Sequence, residues 1–86
     1  MKGMFAVSKA GHDKGKLYII IEEENEYVYL ADGRLKPVEA PKKKKKKHIQ
    51  IIKTTDEKIA LYIEEKKQIS NEVVKRAVKE YEHRSN

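Results

Sequence analysis

No apolar run in this chain exceeds five residues, the length of Leu17 to Ile21. That limit fixes much of what the chain can become. A bilayer-spanning helix needs about 20 consecutive apolar residues, so none is encoded. Short segments of this kind, separated by turn residues, build small strands instead. With 86 residues in all, the chain has the size of one domain with an appendage, and folding buries roughly 60% of the unfolded surface. A core of that size leaves little room for a substrate cleft, so a non-enzymatic binding module is expected. There is no cysteine, which excludes disulfides, thiolate metal sites and thiol nucleophiles. The opening Met1-Lys2-Gly3-Met4-Phe5 lacks the apolar segment and small-residue cleavage site of a secretory leader. A cytoplasmic chain without cofactor is the expectation.

The pattern between turns predicts five short strands. Phe5 and Val7 alternate within Gly3 to Ala10, and Leu17 to Glu22 is rich in β-branched residues, with Leu17, Ile19 and Ile21 on one face. Glu23-Glu24-Asn25-Glu26 reads as a tight reversal into a strand at Tyr27 to Leu30, and Asp32-Gly33 as a short turn. Leu35 to Val38 reads as an edge strand because it contains Pro37, and His48 to Lys53 as the last strand. Five such strands in about 50 residues predict a small, strongly bent β-barrel, since closure removes unpaired edges. Beyond Thr55 the period changes. Ile59, Tyr62, Ile63 and Lys66 share one helical face, with Thr54 and Glu57 placed as a capping box. Ile69-Ser70-Asn71 breaks that helix, and Val74, Ala77, Val78 and Tyr81 repeat the spacing in a second. The fold class is mainly β with α: a barrel over residues 1 to 54 and a helical appendage over residues 55 to 86.

Charge divides the chain at the same place. Residues 1 to 54 carry 13 bases against seven acids, whereas residues 55 to 86 carry seven of each. The whole net charge of +6 therefore belongs to the first part, and a polyanionic partner should bind there. Its densest element is the loop at residues 41 to 48, where Pro41 precedes six consecutive lysines and His48 follows. Six like charges repel one another and favour an extended, mobile segment that cannot be neutralised entirely from within. No apolar anchoring helix adjoins them, which disfavours a membrane surface.

Lys9-Ala10-Gly11-His12-Asp13-Lys14-Gly15-Lys16 links the first two strands. This strand, glycine-marked basic loop and second strand resemble a KOW motif. Three segments carry a closer likeness: Lys9 to Lys16, Glu26 to Gly33, and Lys47-His48-Ile49. Over residues 3 to 52 the chain is similar to the archaeal and eukaryotic fourteen-e family of large-subunit ribosomal proteins and their small bacterial KOW relatives. The resemblance implies an SH3-like barrel that binds RNA, within or near the ribosome, with Gly15 at the motif's most characteristic glycine. Two departures favour a small bacterial-type relative. The lysine run is more extreme than the family's arginine-rich stretch, and the helical tail is not the long basic extension of eukaryotic members.

The physical reading agrees on where phosphates would sit. Glycines leave backbone N–H groups unshielded, and flanking lysines supply counter-charge. The candidate RNA-binding residues are Lys9, Gly11, His12, Lys14, Gly15 and Lys16 in the loop, then Arg34 and Lys36, then Lys42, Lys43, Lys44, Lys45, Lys46, Lys47 and His48. Lysine contacts phosphate as a point charge, so backbone contact rather than base readout is expected. This is not a P-loop, because Leu17 stands where the magnesium-binding hydroxyl belongs. Tyr18, Tyr27 and Tyr29 are candidates for base stacking or for plain packing, while Tyr62 and Tyr81 read as core or docking residues. His12, His48 and His83 have no metal-ligand spacing, and no titratable constellation indicates catalysis.

The partner expected is RNA, ribosomal RNA by the resemblance, with neighbouring ribosomal proteins possible and the chain monomeric when unbound. The alternative is a protein-interaction module of KOW/SH3-like type in the transcription or translation machinery. It would work through an apolar patch or the stripe of Val74, Val78 and Tyr81.

Overall fold

The computed structural model describes residues 1 to 85. Strands β1 (Met4–Ser8), β2 (Leu17–Glu24), β3 (Tyr27–Ala31), β4 (Lys42–Lys45) and β5 (Ile49–Thr55) are followed by α1 (Glu57–Glu64) and α2 (Asn71–Ser85). The strands make one antiparallel sheet in the order β4-β3-β2-β1-β5. A 3-10 turn at Lys46–His48 joins its two edge strands.

Apolar clusters lie on both faces of this sheet. Ala6, Tyr18, Ile20, Val28, Leu30 and Ile49 pack together on one face. On the other, Phe5, Leu17, Ile19 and Ala31 meet Ile59 of α1 and Val73, Val74 and Ala77 of α2. Leu17 to Ile20 are consequently all buried. The helices beyond Thr55 thus dock on the sheet and share a core with its strands. The Phe5 and Tyr81 rings lie 4.6 Å apart, centroid to centroid, which ties the end of α2 to the first strand.

Two sequence expectations change. Leu35 to Val38 is not a strand, because its backbone is held by side chains instead of a ladder. Asp32 Oδ1 accepts from the amides of Arg34 and Lys36, both at 2.9 Å, and Asn71 Oδ1 accepts from Val38 at 2.7 Å. Such local side-chain bonds compete with strand pairing. The fourth strand is instead Lys42–Lys45, where a mobile lysine loop is expected from charge alone.

Helix boundaries shift as well. Asp56, rather than Thr54, caps α1, accepting from the amides of Lys58 and Ile59 at 3.0 and 3.2 Å. Arg76 reaches the same carboxylate at 3.3 Å, joining the cap of one helix to the flank of the other. Lys66 lies outside α1 with φ +57, in the left-handed conformation common just past a helix end. Ser70 Oγ accepts from Val73 N at 3.3 Å and caps α2.

Gly33, with φ +79, brings the turn after β3 against the first turn of α2. A Cβ there would overlap the carbonyl of Asn71 and meet Lys75 N at 2.8 Å, both backbone atoms that cannot step aside. Gly33→Ala is expected to cost about 2 kcal/mol or more in urea unfolding, from left-handed strain plus overpacking. Gly15→Ala, where a Cβ meets nothing within 4 Å, should cost about 1 to 2 kcal/mol, the strain contribution alone.

Candidate nucleic-acid interface

Because side chains alternate across a strand, β4 sorts its identical lysines into two sets. Lys42 and Lys44 stand opposite Leu30 and Val28 on the face of the Tyr18 cluster, away from the helices, whereas Lys43 and Lys45 stand opposite Tyr29 and Tyr27 on the reverse face. The alternation continues through the 3-10 turn, so that Lys42, Lys44 and Lys46 are half-buried while Lys43, Lys45 and Lys47 are exposed.

Each half-buried lysine meets a carboxylate. Lys42 and Lys44 lie 3.2 and 2.5 Å from Asp13, and Lys46 lies 2.6 Å from Glu23. Asp13 is the hub. Its two oxygens also accept from the hydroxyls of Ser8 and Tyr18 at 2.9 and 2.8 Å. Only 9% of its side chain and 10% of that of Lys44 are exposed, so the ion pair is largely withdrawn from solvent although neither residue is wholly buried. Burial alone would raise the Asp13 pKa. The bonds from Lys44, Tyr18, Ser8 and Lys42 outweigh it and hold the carboxyl well below the usual carboxylate range. Burial and the bond to Asp13 together push the Tyr18 phenol upward.

The same contacts bring the glycine loop onto β4. Lys44 Nζ donates to the Ala10 carbonyl at 2.9 Å and to Ser8 Oγ at 2.7 Å. The loop is closed by Gly15 N donating to Ser8 O at 2.8 Å and Lys16 N to Asp13 O at 2.9 Å. Both glycines adopt φ +88, the conformation that lets the chain turn Asp13 inward. Lys9, Gly11, His12, Lys14 and Gly15 are left exposed beside the strand.

Other predicted residues lie elsewhere or have different work. Lys16 is paired with Asp32 at 3.1 Å. Burial disfavours the Asp32 carboxylate, but the amides of Lys36 and Arg34 and the Lys16 ammonium outweigh it and lower its pKa. Arg34 and Lys36 therefore belong to the turn against α2, where Lys16, Arg34, Lys75 and Lys79 border a groove of about 540 Å³ floored by Leu17 and Val78. Charge counting along the sequence places Lys75 and Lys79 in a neutral tail; folding sets them beside Arg34. His48 is half-buried, and its carbonyl accepts from Lys9 N at 2.8 Å. Asp13, which organises the interface, was not among the residues the sequence singled out. Its signal is being the one acid in a stretch of bases between strands.

Among the described residues, no three His, Asp or Glu side chains converge on a possible metal site. Nor, among the described residues, is any helix long and apolar enough to cross a membrane. Comparison of the chain with protein-family models gives no match, and comparison with curated proteins gives none.

Removing Asp13 leaves the Lys44 ammonium, largely withdrawn from solvent, without a counter-charge. Asp13→Ala should cost about 3 to 5 kcal/mol at pH 7, measured by urea unfolding. The pH dependence follows from the sign of the shift. A carboxyl lowered in the folded state stabilises fully above its unfolded pKa of about 3.9, and that contribution fades as pH falls below it. The gap between wild type and Asp13→Ala should hold from pH 7 to about pH 5 and narrow below about pH 4.

Proposed function

We propose that this chain is an RNA-binding module of KOW type, its bent sheet an SH3-like barrel, and that it works on or near the large ribosomal subunit. In this reading it performs no catalysis. It contacts the phosphate backbone through Lys43, Lys45 and Lys47, with Lys9, His12 and Lys14 of the glycine loop beside them. The observation that carries the reading is the sorting of the lysine run. Three of its members make no ion pair among the described residues and face outward from β4 and the 3-10 turn after it, while Asp13 fixes Lys42, Lys44 and the loop, and Glu23 fixes Lys46. A solubilising tail needs no such support. Lys43 and Lys45, the two outward lysines of the strand, are about 6.6 Å apart, roughly two nucleotide rises along one strand of a duplex, so the pair can follow a backbone.

A second reading, a protein-interaction module, is favoured by Leu35, which is 77% exposed at the rim of the groove against α2. Partners retained after nuclease treatment of a lysate would favour it over RNA.

The two lysine sets predict different phenotypes. Replacing Lys43, Lys45 and Lys47 together by serine should leave the melting temperature unchanged. It should also weaken RNA binding and flatten the log–log salt slope by roughly 2 on single strands. Replacing Lys42, Lys44 and Lys46 should instead lower the melting temperature. Filter binding across a salt series reads the first and calorimetry the second. Salt-insensitive binding, or binding indifferent to the outer lysines, sinks the proposal. Co-sedimentation with the large subunit at low salt, lost at high salt, tests the ribosomal part.

A further inference from the structure

Two aromatic side chains remain once the packing is accounted for. Phe5, Tyr18, Tyr62 and Tyr81 belong to, or pack against, the two apolar clusters; Tyr27 and Tyr29 do neither, and both are half-exposed. They lie on the same face of β3 as Ala31, which the helices cover. Tyr29 and Tyr27 continue that face about 7 and 13 Å farther along the strand, and neither packs against the helix-covered cluster.

The ladder sets them in an ordered surface. Glu22 and Lys43 flank Tyr29 on either side, and Glu24 and Lys45 flank Tyr27. Crossing the sheet from β2 to β4, this face therefore runs from acid to aromatic ring to lysine, twice over. The Tyr29 hydroxyl donates to Glu24 at 2.9 Å, which tethers its ring. The Lys43 ammonium lies 4.3 Å from the Tyr27 ring centroid, so that ring already holds a cation. The acid row repels phosphate and the lysine row attracts it. An aromatic strip between them fits a nucleotide whose backbone follows the lysines and whose base lies inward over a ring. A duplex cannot offer that arrangement, since its base faces are stacked within the helix.

We propose that Tyr27 and Tyr29 form a stacking platform for unpaired bases, with the backbone along Lys43, Lys45 and Lys47. The RNA bound is then single-stranded or bulged at the point of contact. This rests on the phosphate-binding reading above and narrows it. Stacking tolerates any base, because every base has a π-face, so the platform selects strandedness rather than sequence. On binding, Lys43 exchanges its contact with the Tyr27 ring for a phosphate.

The test uses the full chain with two probes of equal length, oligouridine and an RNA duplex, across one salt series. Tyr27→Leu and Tyr29→Leu should each weaken oligouridine binding about tenfold, the scale of one lost base stack. Duplex binding and the salt slope should be unchanged, and Tyr27→Phe and Tyr29→Phe should bind as wild type. Should a leucine variant lose stability, the wild-type protein supplies the answer by NMR. Ring protons of Tyr27 and Tyr29 should shift on adding oligouridine and stay put with duplex. Rings that do not move, or leucine variants that lose both RNAs equally, overturn the platform. Salt-dependent binding of both RNAs without tyrosine dependence overturns it alone; failure to bind either RNA overturns the phosphate reading as well.

Discussion

The carboxylate of Asp13 is the interaction on which this arrangement depends. A strand of consecutive lysines is electrostatically unfavourable, and its alternate side chains must point toward an apolar face. Burying an ammonium group there is costly unless it is paired and hydrogen-bonded. Asp13 supplies the pairing for Lys42 and Lys44, and Ser8 and Tyr18 complete its bonding. The acid comes from the loop between β1 and β2, so strand and loop are structurally interdependent. Lys44 alone makes three bonds to the loop and its flanking strand, at Ser8, Ala10 and Asp13.

That dependence divides the labour within a uniform run of residues. The inward lysines serve the fold, and the outward ones are free of that duty. The position of β4 matters too. It is an edge of the sheet, and an edge exposes unpaired backbone groups that recruit other chains. Lysines on an edge discourage such pairing through repulsion. The same charges that keep the edge solitary are the ones the proposed reading presents to a polyanion, so on that reading one feature meets a folding and a binding requirement together.

How legible this was in the sequence varies element by element. β1, β2 and β3 were readable because glycine turns and Asn25 punctuate apolar segments. Within the run from Leu17 to Ile21, Leu17 and Ile19 are covered by the helices, whereas Tyr18 and Ile20 pack in the sheet's own cluster on the other face. The helical stripes were readable from their period. β4 was not, since six identical residues carry no pattern. The alternation resides in partners 31 and 23 residues away, Asp13 and Glu23. Leu35 to Val38 was misread for the same reason, because its amide partner is Asn71, 33 residues on. Composition thus identified the candidate interface as a segment, and only the fold separates its outward cations from its inward ones.

Net charge by segment is consequently a poor guide to where a polyanion would be held. Lys42, Lys44 and Lys46 count fully toward the excess in residues 1 to 54, yet each is matched by an acid within 3.2 Å. Lys75 and Lys79 count toward a balanced tail, yet border a groove with Arg34. At physiological ionic strength charges farther apart than about 8 Å are largely screened. What a phosphate meets is the local residue set, not the sum over the chain. On that scale the outer face of β3 and β4 is divided, with Lys43 and Lys45 along one margin and Glu22 and Glu24 along the other. A polyanion approaching it is both attracted and confined to the lysine margin. The fold thus turns a surplus of positive charge, which has no direction, into a surface that has one.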